Sequence, residues 1–292
     1  MVLIVGVGGM IGKNLFRFFN DSYEGVCGTT HQKERLLENS VFHLDLLDPD
    51  FGFLSDVGSS VTHAIICSGA TGFDECKNDE ARSRRINVTN MICLFEQLWE
   101  RDIVPGFLST DAVFDGRRGG YAEEDECHPE TVYGGQKLEA ENYLRAGQKP
   151  SWILRLSKVY DVGYRDETLI TSCLDSLLSG QSIRSATDQF VAPVWVGDVC
   201  RATDLLVLKK KQGTFHVSSP QVISRYELSS RIAKYFKLDP GQVRACRISD
   251  FKLIEPRALH YNMNSSKLQS LGFEYTSLEK SFQAIFQNYS DH

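Results

Sequence analysis

The chain has 292 residues, 42% hydrophobic and 24% charged, an ordinary globular composition with length for one large domain or a large and a small one. A net charge of -6 argues against a general nucleic-acid binder, and no apolar run reaches the length of a bilayer span. The eight cysteines are scattered without a C-x-x-C pair, so no metal-ligand spacing is visible. Free thiols in a reducing cytoplasm are the expectation, and no basic, cleavable leader is seen at the N-terminus.

Val2-Leu3-Ile4-Val5 reads as a short buried strand that runs through glycines into a helix beginning near Lys13. Such a turn is a site for a dinucleotide pyrophosphate: backbone N–H groups and the helix dipole face the anion, and absent Cβ atoms let it approach. The commonest spacing, G-x-G-x-x-G, fails at Ile11, whereas G-x-x-G-x-x-G fits Gly6, Gly9 and Gly12. Met10 and Ile11 inside the loop are counted among the cofactor contacts.

A second strand is expected over 24–30, ending at Thr29, Thr30 and His31 with Lys33 and Arg35 close behind. A carboxylate there would bind the 2′-hydroxyl of NAD; hydroxyls and cations suit the 2′-phosphate of NADPH better, although Lys33 and Arg35 also fit a solvated helix. A short strand at 41–48 places Asp45 and Leu46 to touch an adenine. The next strand, 61–67, ends in the close turn Ser68-Gly69-Ala70, where ligands of open parallel sheets gather. A long helix at 79–101 carries Asn87, read as a satisfied structural amide.

A strand over 103–110 ends in the hydroxyls Ser109 and Thr110, and a helix at 131–144 sets Tyr133 and Lys137 four apart on one face. The strand 152–156 completes an alternation of strands and helices that predicts a doubly wound parallel sheet. Beyond residue 158 the alternation weakens. Helices at 167–178, 199–208 and 224–236 (Ser224 as N-cap, Glu227 completing a capping box) and strands near 190–196 and 214–217 read as a smaller substrate-side lobe.

Together these residues make chemical sense. A free phenol, with a pKa of about 10, is a poor acid at neutral pH. A neighbouring ammonium favours the phenolate and poises it for proton transfer. A strand-end hydroxyl holds a carbonyl oxygen, and a nicotinamide on the glycine loop delivers hydride to its carbon.

Three features, Gly6-x-x-Gly9-x-x-Gly12, the hydroxyl strand end and Tyr133-x-x-x-Lys137, resemble the extended short-chain dehydrogenase/reductase family. Within it, the resemblance is to the dTDP-4-dehydrorhamnose reductase-like subgroup. Segments 108–116 (LSTDAVFDG), 133–141 (YGGQKLEAE), 153–160, 188–193 and 264–268 resemble stretches of that subgroup and run through the whole chain. The resemblance implies an α/β Rossmann fold: an NAD(P)-binding domain over 1–157 and a mainly substrate-binding lobe over 158–292, some segments of which return to the sheet. It implies Thr110 as the group polarising the carbonyl, Tyr133 as the acid, and Lys137 as the group that lowers its pKa and binds the nicotinamide ribose. Ser109, Asp111, Ala112, Val113, Lys158, Val159 and Gln189 fall in its substrate segments. Trp195 and Arg257 are further candidates for the cleft, with lobe packing and a solvated loop as their plainer readings. Helices at 79–101 and 131–144 are where such enzymes pair into homodimers.

The sequence also departs from the subgroup: Ala112 replaces a tyrosine, Lys158 an aromatic residue and Asp161 a glycine, mostly where the substrate pocket is built. The expectation is therefore NADPH- (or NADH-) dependent reduction of a nucleotide-linked 4-keto-(6-deoxy) sugar. The alternatives are a nucleotide-sugar epimerase and a non-catalytic NADP-binding regulatory subunit, the latter because the regulatory subunit of methionine adenosyltransferase resembles this subgroup too.

Overall fold

The structure, a computed structural model, describes residues 1–23, 25–32, 40–58 and 60–291. Its centre is a seven-stranded sheet of β1 (Val2–Val5), β2 (Val26–Thr30), β3 (Val41–His43), β4 (His63–Ile66), β5 (Val104–Thr110), β6 (Trp152–Leu156) and the strand Gly213–Val217. From one edge the order is β3-β2-β1-β4-β5-β6, then Gly213–Val217. That is the doubly wound order, with its switch point beside β1. The pairs β1–β2, β1–β4, β2–β3 and β4–β5 are parallel, and Val5 stands level with Thr29 on one side and Ile66 on the other. All four residues of β1 are buried, as a strand covered by helices on both faces requires.

Among the described residues, the helices between these strands are α1 (Met10–Ser22), α2 (Phe73–Asn78), α3 (Glu80–Arg84), α4 (Asn90–Trp99) and α5 (Val132–Ala146), and the helix Val196–Leu208 leads into the last strand. The single helix expected over 79–101 is α3 and α4 joined by a π-turn, Arg85–Thr89, that turns Ile86, Asn87 and Val88 inward. Asp79 caps its start by accepting the Arg82 N–H. The strand expected over 41–48 stops at His43, because the Asp45 carboxylate accepts the Leu47 N–H and folds the chain into a turn.

By internal contacts the chain forms two compact units. The first comprises 1–114, 126–155 and 200–215; the second comprises 115–125, 156–199 and 216–292. The first is built on Leu3, Val5, Ala64, Ile66, Leu94, Phe95 and Phe107. The second is built on Tyr160, Ile170, Leu174, Val191, Leu228, Ile232 and Phe282, supplied in part by the helices Leu169–Leu178 and Arg225–Tyr235. The strand expected at 190–196 is two short strands, Phe190–Val191 and Val194–Trp195, split at Ala192-Pro193. Ser224 caps the helix Arg225–Tyr235 as expected. The Glu227 carboxylate does not return to it, however, but pairs with Arg231 one turn on. A parallel pair, Ile183–Ala186 with Val243–Cys246, was not legible in the sequence. Among the described residues no helix is long and apolar enough to cross a membrane, and no His, Cys, Asp or Glu cluster is arranged to hold a metal.

Candidate active site

The loop after β1 needs its glycines for different reasons. Gly6 has φ +101°, and a Cβ there would lie 2.3 Å from Ser68 Oγ. A Cβ on Gly12 would lie 2.0 Å from the Gly6 carbonyl oxygen, so only glycine lets α1 pack on its own loop. At Gly9, the N-cap of α1, a Cβ would meet nothing nearer than 3.9 Å. The loop is held from below: Thr29 accepts the N–H groups of Gly6 (3.1 Å) and Val7 (2.8 Å) on its carbonyl, and Gly6 also donates to its hydroxyl (3.2 Å). No side chain caps α1, and its first turn contains no acid. The cradle of Gly6, Gly9, Met10, Ile11 and Gly12 therefore fits a dinucleotide pyrophosphate, with open space at Gly9 and bare helical N–H groups beyond it.

Further along the same edge, Thr29 and Thr30 are buried, and the Thr30 hydroxyl accepts the Gln32 N–H at 3.2 Å. These two hydroxyls hold backbone; His31 is exposed, and Lys33 and Arg35 lie outside the described residues. No carboxylate stands at 29–32. Leu46 is buried, and Asn90 at the start of α4 donates to the carbonyls of Leu46 (2.8 Å) and Leu47 (3.3 Å). Asn87 clamps the turn Ser68-Gly69-Ala70: its Oδ1 accepts the Ala70 N–H and its Nδ2 donates to the Ala70 carbonyl, both at 2.9 Å. It is the satisfied structural amide that was expected.

Thr110 ends β5, and Tyr133 and Lys137 come from the first two turns of α5, so strand and helix ends bring the trio together in one unit. Thr131 fixes the start of α5 by accepting the Gly134 N–H at 3.0 Å. Gly134 lets that start press on the turn 111–113, since a Cβ would fall 2.1 Å from the Ala112 carbonyl oxygen. The Thr110 hydroxyl donates to Asp111 at 3.1 Å, accepts the Ala112 N–H at 3.2 Å and hydrogen-bonds the Tyr133 phenol. Phe73 of α2 packs on the Tyr133 ring, centroids 5.4 Å apart.

The electrostatics of the trio differ from the expectation. The Tyr133 phenol is pushed well above its ordinary pKa by burial, then by Asp111 and Cys76, and only the Thr110 hydrogen bond opposes them. Lys137 is not what lowers it. Its ammonium is buried, donates to the Leu108 carbonyl at 2.6 Å and lies over the Phe107 ring at 3.7 Å. Burial brings its pKa down to about 7, against the pull of Glu141 and Cys67. The ammonium thus serves β5 rather than the phenolate.

Ser109 and Thr110, as neighbours on a strand, face opposite ways. Ser109 is buried beside Glu141. Glu141 has no exposed surface and meets the buried Arg155 at 2.7, 3.1 and 3.2 Å, with Arg145 at 2.9 Å. Burial raises the Glu141 carboxyl, but the Arg155 hydrogen bonds outweigh it and leave the pKa below its ordinary value. Asp111 is half-buried, and Ala112 and Val113 are buried.

The remaining substrate candidates belong to the second unit. Lys158 is exposed, and Val159 pairs with Val194. Gln189 donates to the Ala258 carbonyl at 3.0 Å, and Arg257 donates to the Glu255 carbonyl at 2.9 Å. The Trp195 ring covers Gly197, where a Cβ would fall 2.6 Å from it. Sequence reasoning missed Phe73 and Gln136. Phe73 lay in a stretch with no helical periodicity, and Gln136 was one of the unspecified positions between Tyr133 and Lys137.

A glycine-loop dinucleotide fold with a threonine, tyrosine and lysine gathered at the carboxyl ends of its strands defines an extended short-chain dehydrogenase/reductase, a class of NAD(P)-dependent oxidoreductases. Residues 1–290 match the pattern of one family in that class, and the chain belongs to it: the RmlD substrate binding domain family. It is 26% identical to the probable low-salt glycan biosynthesis reductase Agl14 of Haloferax volcanii, over 99% of this chain and 98% of that protein. It is 25% identical to methionine adenosyltransferase 2 subunit beta of Bos taurus, over 93% of this chain and 82% of that one. A crystal structure of a hypothetical dTDP-4-dehydrorhamnose reductase from Sulfolobus tokodaii superposes with a TM-score of 0.81 at 26% identity, covering 97% of this chain and 98% of that one.

Proposed function

We propose that the protein uses NADPH, or NADH, to reduce the keto group of a nucleotide-linked 4-keto-(6-deoxy) sugar. The observation that carries this reading is the convergence of Thr110, Tyr133 and Lys137 in the same unit as the glycine cradle. When bound, the cofactor supplies the hydride. Tyr133 holds the proton: its raised pKa keeps the phenol protonated at neutral pH, and an alkoxide is basic enough to take that proton. The Thr110 hydroxyl gives its one proton to Asp111 in the structure; in this reading it turns that proton to the carbonyl oxygen when the sugar binds. Lys137 fixes the carboxyl end of β5 through Leu108 and, in this reading, contacts the nicotinamide ribose. The absence of a carboxylate at 29–32 supports NADPH over NADH. The substrate contacts assigned to the second unit are Lys158, Val159, Gln189, Trp195 and Arg257; those of the first are Asp111, Ala112 and Val113. A homodimer working in the cytoplasm completes the proposal, the compartment being supported by eight free thiols.

A second reading, a binding subunit that holds the cofactor without turnover, is favoured by the resemblance to methionine adenosyltransferase 2 subunit beta, met in the proteins of several vertebrates. The test is a titration with NADPH and NADH, followed by cofactor oxidation across a panel of nucleotide-linked 4-keto sugars. Turnover with one member is the expected result. Tight NADPH binding with no turnover on any would replace the reductase by the binding subunit or an epimerase.

A further inference from the structure

Gln136 stands on α5 between Tyr133 and Lys137 and is buried. Its Oε1 accepts from Asn87 Nδ2, and its Nε2 donates to Ser83 Oγ, both at 2.9 Å. Ser83 Oγ in turn donates to the Cys76 carbonyl at 3.1 Å. Two weaker contacts share the network, Asn87 Nδ2 with Cys76 Sγ at 3.9 Å and Ser83 Oγ with the Glu80 carbonyl at 3.3 Å. Ala70 offers one N–H and one carbonyl, which orients the Asn87 amide. The second hydrogen on Asn87 Nδ2 goes to Gln136 Oε1, nearer and a stronger acceptor than the Cys76 sulfur. That leaves Nε2 for Ser83, whose own proton is shared by the carbonyls of Cys76 and Glu80. The relay joins α5, the π-turn, α3, α2 and the turn after β4, and that turn is the one the glycine loop packs against, at Gly6 and Ser68.

We propose that Gln136 is a positioning residue. It ties the helix bearing Tyr133 and Lys137 to the turn 68–70, so that the proton-transfer groups and the cofactor-facing backbone are held at one spacing. The proposal rests on the reading of this site as a nicotinamide site. An amide serves where an aliphatic side chain of equal volume would not, because Asn87 and Ser83 are themselves buried and need partners. The ionisable groups on the elements packed around it are the buried Cys76 thiol of α2 and, on α5, Tyr133 and Lys137. Charges on α2 and α3 are the exposed pairs Lys77–Glu80, Arg82–Glu75 and Arg84–Glu139, and the half-buried Asp74 in the first turn of α2.

The test compares wild type with Gln136→Met and Gln136→Glu, reading amide hydrogen exchange at Ala70 and the NADPH dissociation constant. Gln136→Met should speed Ala70 exchange roughly tenfold and weaken NADPH by roughly five- to tenfold, the loss of a buried hydrogen bond. In Gln136→Glu the protonated carboxyl reproduces the pattern, accepting from Asn87 and donating to Ser83, whereas the carboxylate cannot donate. The ratio of Gln136→Glu to wild type, taken at each pH, should therefore approach unity in acid and worsen as pH rises. A Gln136→Met protein that loses thermal stability but keeps Ala70 exchange and NADPH affinity, or a Gln136→Glu ratio independent of pH, would overturn the proposal. Changed Ala70 exchange in a protein whose wild type binds no NADPH would instead overturn the reading of the site, and with it the positioning role.

Discussion

Burial disfavours the Lys137 ammonium, and removing its charge should stabilise the fold. Its pKa is brought from 10.5 to about 7 by burial. That difference corresponds to roughly 4–5 kcal/mol by which the folded state disfavours the ammonium relative to the unfolded chain. Because the folded pKa is depressed, the penalty is fully present below pH 7 and disappears as pH rises through the window from about 7 to 10.5. Stability from this group therefore increases with pH across that window. Lys137→Met removes the titration but leaves the Leu108 carbonyl without its donor, at a cost of about 1–3 kcal/mol. The variant should be the more stable protein near about pH 6 and the less stable near about pH 10, the difference swinging by roughly 4 kcal/mol. Urea unfolding of both proteins at matched pH values measures that swing directly. A stability difference that stays constant with pH would show that Lys137 titrates as an ordinary lysine, and the reasoning about its buried environment would be wrong.

Other expectations follow from neighbouring residues. Gly9→Ala should fold with unchanged stability, since its Cβ meets nothing nearer than ordinary contact, yet weaken NADPH by roughly tenfold by filling the cradle; a thermal shift and a fluorescence titration separate the two effects. Glu141→Gln leaves the buried Arg155 without its counter-charge and should cost roughly 3–5 kcal/mol in denaturant unfolding. The depressed Glu141 pKa gives stability that is complete above the ordinary carboxylate value of about 4.3 and lost as pH falls through the folded value, so the acid slope of wild type should exceed that of the variant.

The parts of this molecule that were legible in the sequence are those fixed by local chemistry. The run Val2–Val5 into glycines, Ser224 as an N-cap and Tyr133 four residues before Lys137 each specify their geometry over a few residues. Their gathering at one sheet edge follows from the doubly wound order. The parts that were not legible depend on partners far along the chain. Tyr133 and Lys137 share a helix face, but burial and Asp111 set the phenol while Leu108 takes the ammonium, and no spacing rule contains those neighbours. The π-turn around Asn87 exists to reach Ala70, 17 residues away. Ser109 looked like part of a hydroxyl pair, yet strand alternation sends it to Glu141. In the second unit the strands Phe190–Val191, Val194–Trp195, Ile223–Ser224 and His260–Tyr261 have two residues each, too short for periodicity to show.

The measurement that tests the account most directly is cofactor oxidation, followed through the nicotinamide absorbance, by wild type and by Tyr133→Phe on the sugar that wild type turns over best. The two proteins are first matched for NADPH affinity. Loss of the phenolic proton should lower the rate by roughly 10²–10⁴-fold while binding is retained. Turnover by Tyr133→Phe at the wild-type rate would contradict the assignment of the acid, and with it the mechanism built on Thr110, Tyr133 and Lys137.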